Sequence, residues 1–136
     1  MAHLYRSDLY PPIPVLPVVL YHAASGVGSA EISALVDTGA DATLVAARYL
    51  RQIAAEELYV TRVRSHWGES RAAKIYLVDM EVVGQRLPGV EVIADDQSND
   101  VLLGRTVLNR LILLLDGPGR RVDLLAHRPR RLPTVT

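Results

Sequence analysis

The sequence contains no cysteine and no phenylalanine among its 136 residues, and it has a single tryptophan. Without cysteine, the chain has no disulfide bond, no thiolate zinc ligand and no cysteine nucleophile. Its core must be built from valine, leucine, isoleucine and alanine. Fifteen basic and fifteen acidic side chains give a formal net charge of zero. No overall field therefore favours binding to nucleic acid or to an anionic membrane.

The sequence also lacks an apolar segment suited to a membrane. The uncharged stretch at positions 9–30 contains four prolines, which a spanning helix does not tolerate. The residues before it include one arginine and one aspartate, a poor match to the basic start of a signal peptide. We expect no membrane partner and a cytoplasmic location.

The common catalytic motifs are missing as well. The four histidines are scattered, and no HExxH, GxSxG, Walker A or three-glycine dinucleotide motif occurs. The acidic stretch 95–100 lacks the spacing of a calcium loop. The basic end, 127–136, carries no interleaved aromatic residues, which argues against a nucleic-acid partner. We therefore expect no metal and no cofactor.

Short apolar segments separated by turns dominate the remaining pattern. They predict an all-β fold with a closed barrel of short antiparallel strands. An alanine-rich segment, Val45–Leu58, predicts one short amphipathic helix, and Thr106–Leu111 predicts a second. The predicted strands are Val15–His22, Glu31–Val36, Tyr59–Ser65, Ala72–Val83, Val90–Ala94, Val101–Gly104, Leu113–Asp116 and Val122–Leu125. The length suits one domain at 11–126, with an N-terminal arm at 1–10 and a basic tail at 127–136.

One stretch, "ALVDTGADATLV" at 34–45, runs from apolar residues into Asp37-Thr38-Gly39 and back. Aspartate, threonine and glycine are common turn residues, so the tripeptide alone is a weak signal. The apolar flanks nevertheless predict burial, and a buried carboxylate is costly unless it is paired or used. No second Asp-[Ser/Thr]-Gly occurs in the chain.

The order of motifs around this stretch resembles that of the retropepsin-like aspartic proteases. An apolar strand leads into Asp37-Thr38-Gly39-Ala40-Asp41, a hairpin with Gly68 at its tip follows, and "VLLGR" at 101–105 precedes a short helix. The resemblance covers roughly residues 15 to 125, and it is closer to bacterial than to retroviral members. It implies a homodimeric aspartic endopeptidase that binds an extended peptide or protein substrate.

The resemblance also implies roles for individual residues. Asp37 would be the catalytic acid and base, Thr38 would hydrogen-bond across the dimer, and Gly39 would let the backbone approach water or substrate. Gly104 and Arg105 would support the loop, and Asp41 would pair with Arg105. The substrate-binding residues it implies are Ala40, Asp41, His66, Trp67, Gly68 and Leu103.

The chemistry of such a site needs two carboxylates. Hydrolysis of a peptide bond without metal or covalent intermediate requires a base for water and an acid for the carbonyl oxygen. Two carboxylates about 3 Å apart cannot both ionise, so a pair that shares one proton supplies both groups. With one Asp-Thr-Gly per chain, a protease of this type must be a homodimer with the site on its twofold axis.

Two alternatives remain open. The first is a catalytically weak, dimeric peptide-binding module with the same cleft. The second is an unrelated, monomeric β-barrel in which Asp-Thr-Gly is only a turn.

Overall fold

The computed structural model describes residues 2–64 and 68–131. These residues form ten strands and two short helices. In chain order the elements are β1 (Ala2–Leu4), β2 (Val15–Tyr21), β3 (Ile32–Val36), β4 (Leu44–Ala46), α1 (Ala47–Gln52), β5 (Glu56–Arg64), β6 (Ser70–Val82), β7 (Gln85–Asp95), β8 (Val101–Leu103), α2 (Arg105–Leu108), β9 (Ile112–Asp116) and β10 (Arg121–Leu125).

Six strands close into a barrel. The strand order is β2-β3-β8-β4-β7-β6, and β2 pairs with β6 to complete the ring. The predicted all-β barrel is thus confirmed. Two of its pairings, β3 with β8 and β4 with β7, are parallel rather than antiparallel. Each parallel pair joins strands that are far apart in the chain, where a tight turn does not fix the direction.

The barrel interior is filled by the alternating residues of its strands. In β2, Leu16, Val18 and Leu20 are completely buried, while the residues between them are partly exposed. Val78 and Met80 on β6 are completely buried in the same cluster. This period of two is what a strand with one face on the core requires. Because the sequence has no phenylalanine, this core consists mainly of branched aliphatic side chains.

Two further pieces extend beyond the barrel. β5 continues the sheet from β6 and forms with it an antiparallel hairpin, in which Arg64 lies opposite Ser70. Near the chain ends, β1, β10 and β9 form a separate three-stranded sheet. Part of the predicted N-terminal arm therefore pairs with β10, where His3 lies opposite Val122.

The first helix is much shorter than the predicted span of Val45–Leu58. It ends at Gln52, and Ala54 adopts a left-handed conformation with φ of 50°. The amides of Ala54 and Ala55 donate to the carbonyl oxygens of Arg51 and Leu50, respectively. This arrangement is a Schellman motif, which terminates helices. The residues that follow pair with β6 instead, so the structure replaces the last part of the predicted helix with β5.

Candidate active site

Asp37 lies at the end of a central barrel strand. β3 runs parallel to β8, with Leu35 opposite Leu102 and Val36 opposite Leu103. The backbone amide of Asp37 then donates to the carbonyl oxygen of Leu103 at 3.0 Å. The two buried strands thus hold the backbone at Asp37, while its side chain is only partly buried.

The loop after Asp37 folds back on the carboxylate. The amide of Gly39 donates to Asp37 Oδ1 at 3.0 Å, and the amide of Ala40 donates to the carbonyl oxygen of Asp37 at 3.2 Å. A Cβ atom on Gly39 would lie 3.3 Å from Asp37 Oδ1. Thr38 is exposed. The carboxylate therefore has one fixed donor and remains open to water, which lets it exchange a proton or hold a water molecule.

Gly104 allows the chain to pass directly beneath this loop. A Cβ atom at position 104 would lie 2.1 Å from the carbonyl oxygen of Ala42 and 2.9 Å from that of Ala40. No real side chain tolerates such distances, so only glycine fits here. Its φ of −92° is ordinary, so the requirement is for space rather than for backbone conformation.

Arg105 ties the same loop to the start of α2. Its guanidinium donates to the carbonyl oxygen of Thr38 at 2.9 Å and to the carboxylate of Asp41. Its backbone amide donates to the carbonyl oxygen of Ala40 at 2.8 Å. The Asp41 side chain is 89% exposed, so the pair lies at the surface and not in the interior that the sequence suggested. Because an exposed ion pair adds little stability, its effect here is to fix the loop geometry.

A buried hydroxyl that the sequence analysis did not single out completes the connection. Thr43 is completely buried, and its Oγ1 accepts a hydrogen bond from the amide of Gly104 at 3.1 Å. The same oxygen lies 2.9 Å from Thr106 Oγ1. The Thr106 side chain therefore bonds to Thr43 and does not cap α2. The signal in the sequence was a lone hydroxyl inside the apolar end of "ADATLV".

Leu103 requires a correction. It was expected to contact substrate, but it is completely buried and belongs to the barrel core. Its carbonyl oxygen accepts the hydrogen bond from Asp37. Leu103 therefore supports the Asp37 loop from below and has no surface to offer a ligand.

A large open cleft, of about 1340 Å³, begins beside the Asp37 loop. Gly39, Ala40 and Asp41 line one end, so the structure brings these three predicted residues to the cleft. The opposite wall is the β5–β6 hairpin, and the floor includes Leu44 and Ile93. The cleft is open to solvent.

The tip of the β5–β6 hairpin is the least described part of the site. Gly68 adopts a φ of 80°, and among the described residues no atom beyond its chain neighbours lies within 4 Å of where its Cβ would be. This is a turn conformation that favours glycine. His66 and Trp67, predicted to contact substrate, lie outside the described residues. Their roles stay predictions.

Residues 2–64 and 68–131 contain neither a candidate metal site nor a helix suited to span a membrane. No group of three or more histidine, aspartate or glutamate side chains there is arranged to hold a metal ion. No helix in the same part of the chain is both long and apolar enough to cross a membrane.

The fold is shared with proteases of known structure. The retropepsin-like aspartic protease from Rickettsia conorii superimposes with a TM-score of 0.62 at 15% identity, covering 91% of this chain and 88% of that chain. EIAV protease, in complex with the inhibitor HBY-793, gives 0.57 at 16% identity and covers 74% and 89%. Simian foamy virus (mac) protease gives 0.52 at 19% identity and covers 70% and 91%.

The sequence comparison points to the same group. No protein of curated function matches the chain. The sequence model of the family described as gag-polyprotein putative aspartyl protease matches residues 25–110, which is more than half of the chain. That segment contains the Asp37 loop, the hairpin and Gly104-Arg105. The chain belongs to this aspartyl protease family and has the retropepsin-like fold.

Proposed function

We propose that the protein is an aspartic endopeptidase that works as a homodimer, with Asp37 from each subunit forming the catalytic pair. The observation that carries this proposal is the Asp37 loop: a half-exposed carboxylate fixed on two core strands beside an open cleft. Each chain supplies one such loop. Retropepsin-like proteases act as dimers on peptide substrates.

The reaction needs only water and the two carboxyl groups. The ionised Asp37 takes a proton from a water molecule, and the water oxygen attacks the carbonyl carbon of the scissile bond. The protonated Asp37 of the second subunit gives its proton to the carbonyl oxygen. The tetrahedral intermediate then breaks its C–N bond as a proton passes to the leaving nitrogen, which yields an acid and an amine.

The residues around Asp37 hold the pair in position. Thr38, which is exposed here, would hydrogen-bond across the dimer and align the two loops. Gly39 keeps the space next to the carboxylate free of side chains, because a Cβ there would lie 3.3 Å from Asp37 Oδ1, a tight contact. Gly104 and Arg105 act from below as supports, because they contact the loop and not the cleft.

An extended peptide would lie in the cleft, beneath the β5–β6 hairpin acting as a flap. Ala40 and Asp41 line the end of the cleft next to the reacting bond. In this proposal the hairpin with Gly68 would cover the peptide and exclude water, and His66 and Trp67 are predicted from the sequence alone to contact substrate. Backbone pairing with strand edges is a common way to bind extended peptides.

Subunit mixing tests the shared site. Wild-type protein is mixed with inactive Asp37→Asn protein under conditions that allow exchange, and cleavage of a peptide library is followed. If one carboxylate must come from each subunit, an equal mixture retains roughly one quarter of the activity of the same total amount of wild-type protein. Independent single-chain sites would retain about one half. Asp8→Asn, which removes an exposed carboxylate outside the loop, is the matched control.

The same variants separate the proposal from its two alternatives. If wild type and Asp37→Asn both bind peptide and neither cleaves it, the protein is a binding module. If the protein is a monomer by light scattering at all concentrations and shows no Asp37-dependent cleavage, the tripeptide is only a turn. Cleavage that depends on Asp37 and on protein concentration supports the protease.

A further inference from the structure

The cleft beside the Asp37 loop has basic side chains on both of its walls. Arg51 lies in the last turn of α1, and Arg64, Arg71 and Lys74 lie on the β5–β6 hairpin. Within residues 2–64 and 68–131, no carboxylate comes within 4 Å of these four side chains to form a salt bridge. Cations without partners that line an open cleft attract anionic groups, and low-dielectric walls strengthen that field.

The acidic side chains of the cleft compensate only part of this charge. Asp41 is already bonded to Arg105, which is not part of the lining. Glu69 directly precedes Ser70, the residue opposite Arg64, so it offsets the charge at the hairpin tip. Asp96 lies on the loop after β7. Arg71 lies near Asp95, and its charge helps to lower the pKa of that carboxyl. The charge that remains is positive, and Arg51 and Lys74 contribute to it.

These two cations adjoin apolar residues of the cleft lining. Arg51 follows Leu50, which lines the cleft from α1. Lys74 lies opposite Val60 on β5, so the two side chains share one face of the hairpin, and Val60 also lines the cleft. The lining is otherwise low, because several of its residues are glycine or alanine: Gly39, Ala40, Ala42, Ala47, Ala72 and Ala94. A large apolar side chain therefore has room next to a positive charge.

An extended peptide matches this arrangement, because its successive side chains point to opposite sides. When one apolar side chain packs against the apolar residues of one wall, its neighbour turns toward the opposite wall, and each wall carries a cation. We infer that the cleft selects peptides with an acidic side chain next to a large apolar one. This selection rests on the proposed function, because it concerns the substrate of the same site.

A pair of peptides tests the selection by binding alone. The two peptides have the same apolar core and differ only by glutamate or glutamine on either side of it. Their dissociation constants are measured with Asp37→Asn protein, which binds without cleaving. We expect the glutamate peptide to bind about fivefold more tightly at low ionic strength, as one well-placed ion pair gives. At about 1 M salt the ratio should fall toward one, since the screening length is then only about 3 Å.

Protein variants assign the effect to the two cations. In the double variant Arg51→Gln and Lys74→Gln, the preference should drop to less than twofold. Lys74→Arg keeps the charge and should keep the preference. Arg48→Gln, which removes an exposed cation of the same helix outside the cleft, should leave it unchanged. Circular dichroism confirms that each variant is folded, and Lys74→Gln alone replaces the double variant if that one unfolds.

The outcomes separate this inference from the proposed function. Asp37-dependent cleavage of both peptides with equal kcat/KM, together with equal affinities, overturns the selection and leaves the protease standing. Selective binding without any cleavage removes the protease and supports the preference of the cleft. A preference that persists in the double variant overturns the assignment to Arg51 and Lys74.

Discussion

The hydroxyl oxygens of Thr43 and Thr106 lie 2.9 Å apart, although 63 positions separate the two residues in the sequence. Thr43 follows the catalytic loop, and Thr106 lies in α2. Thr43 Oγ1 also accepts the amide hydrogen of Gly104. A single buried oxygen thus connects the segment that carries Asp37 with the segment that supports it.

Removing this oxygen should weaken the whole connection. Thr43→Val keeps the shape of the side chain but leaves the amide of Gly104 without its acceptor. We expect the free energy of unfolding to fall by about 1 to 3 kcal/mol, the cost of a buried polar group without a partner. Urea unfolding measures the change. Thr43→Ser retains the oxygen and should lose less stability; equal losses in both variants would contradict this explanation.

A methyl group at position 104 should displace the catalytic loop. Gly104→Ala places a Cβ 2.1 Å from the carbonyl oxygen of Ala42, so the backbone must move. We expect a loss of about 3 kcal/mol or more in the free energy of unfolding, together with loss of peptide cleavage. Gly117→Ala is the matched control, because no atom lies within 4 Å of its Cβ position. A Gly104→Ala protein as stable as Gly117→Ala would show that the close approach is wrong.

The end of α1 should become more stable when its left-handed residue is glycine. Ala54 has a φ of 50° in the Schellman motif, where glycine has no steric cost. We expect Ala54→Gly to raise the free energy of unfolding by about 1 kcal/mol. Gln52→Gly, inside the helix two residues earlier, should lower it by about 1 kcal/mol. Thermal and urea unfolding compare the two; stabilisation by both substitutions, or by neither, would exclude the motif as the cause.

The ionised carboxylate of Asp95 should raise the free energy of unfolding at neutral pH, and this contribution should be lost in acid. Burial acts to raise the pKa of Asp95, but hydrogen bonds from Gln97 and Ser98, with the nearby charge of Arg71, outweigh it and lower the pKa. A lowered pKa stabilises the fold above the pKa of the unfolded chain, and the contribution disappears as pH falls through the folded value.

Asp95→Asn tests this sign. It should cost about 0.5 kcal/mol at neutral pH, and the difference from wild type should vanish once the pH has fallen below the lowered pKa of Asp95. Urea unfolding at several pH values measures it. A difference that grows as the pH is lowered would contradict the assignment.

The sequence predicted the barrel because its signals are local. The short apolar segments and the turns between them each act over a few residues, and the structure confirms the all-β barrel that they predict. The predicted length of α1 was wrong because alanine-rich spacing suits a helix. Glu56–Arg64 forms a strand because it pairs with β6. This pairing involves residues outside the segment, so the local sequence pattern does not predict it.

The candidate site shows the same division. The resemblance identified Asp37, Gly104 and Arg105 as site residues because they belong to short sequence motifs. The structure brings all three together. Thr43 was not predicted as a site residue, because a single threonine outside any motif gives no signal. Its burial depends on contact with Gly104, which is distant in sequence. The surface position of Asp41 escaped as well, because apolar neighbours in sequence do not determine which face a side chain occupies.

The thirteen residues of β6 belong to two parts of the molecule at once. The strand pairs with β5 through Ser70–Leu77 and then with β2 from Asp79 onward. Only Val78, completely buried, separates the two pairings. On its other edge β6 pairs with the barrel strand β7 from Ile75 onward, so the hairpin continues directly from the barrel wall without a separate hinge loop. Any swing of its free end must be absorbed as bending of β6 before Ile75, so pairing with β7 sets how stiffly the hairpin resists opening.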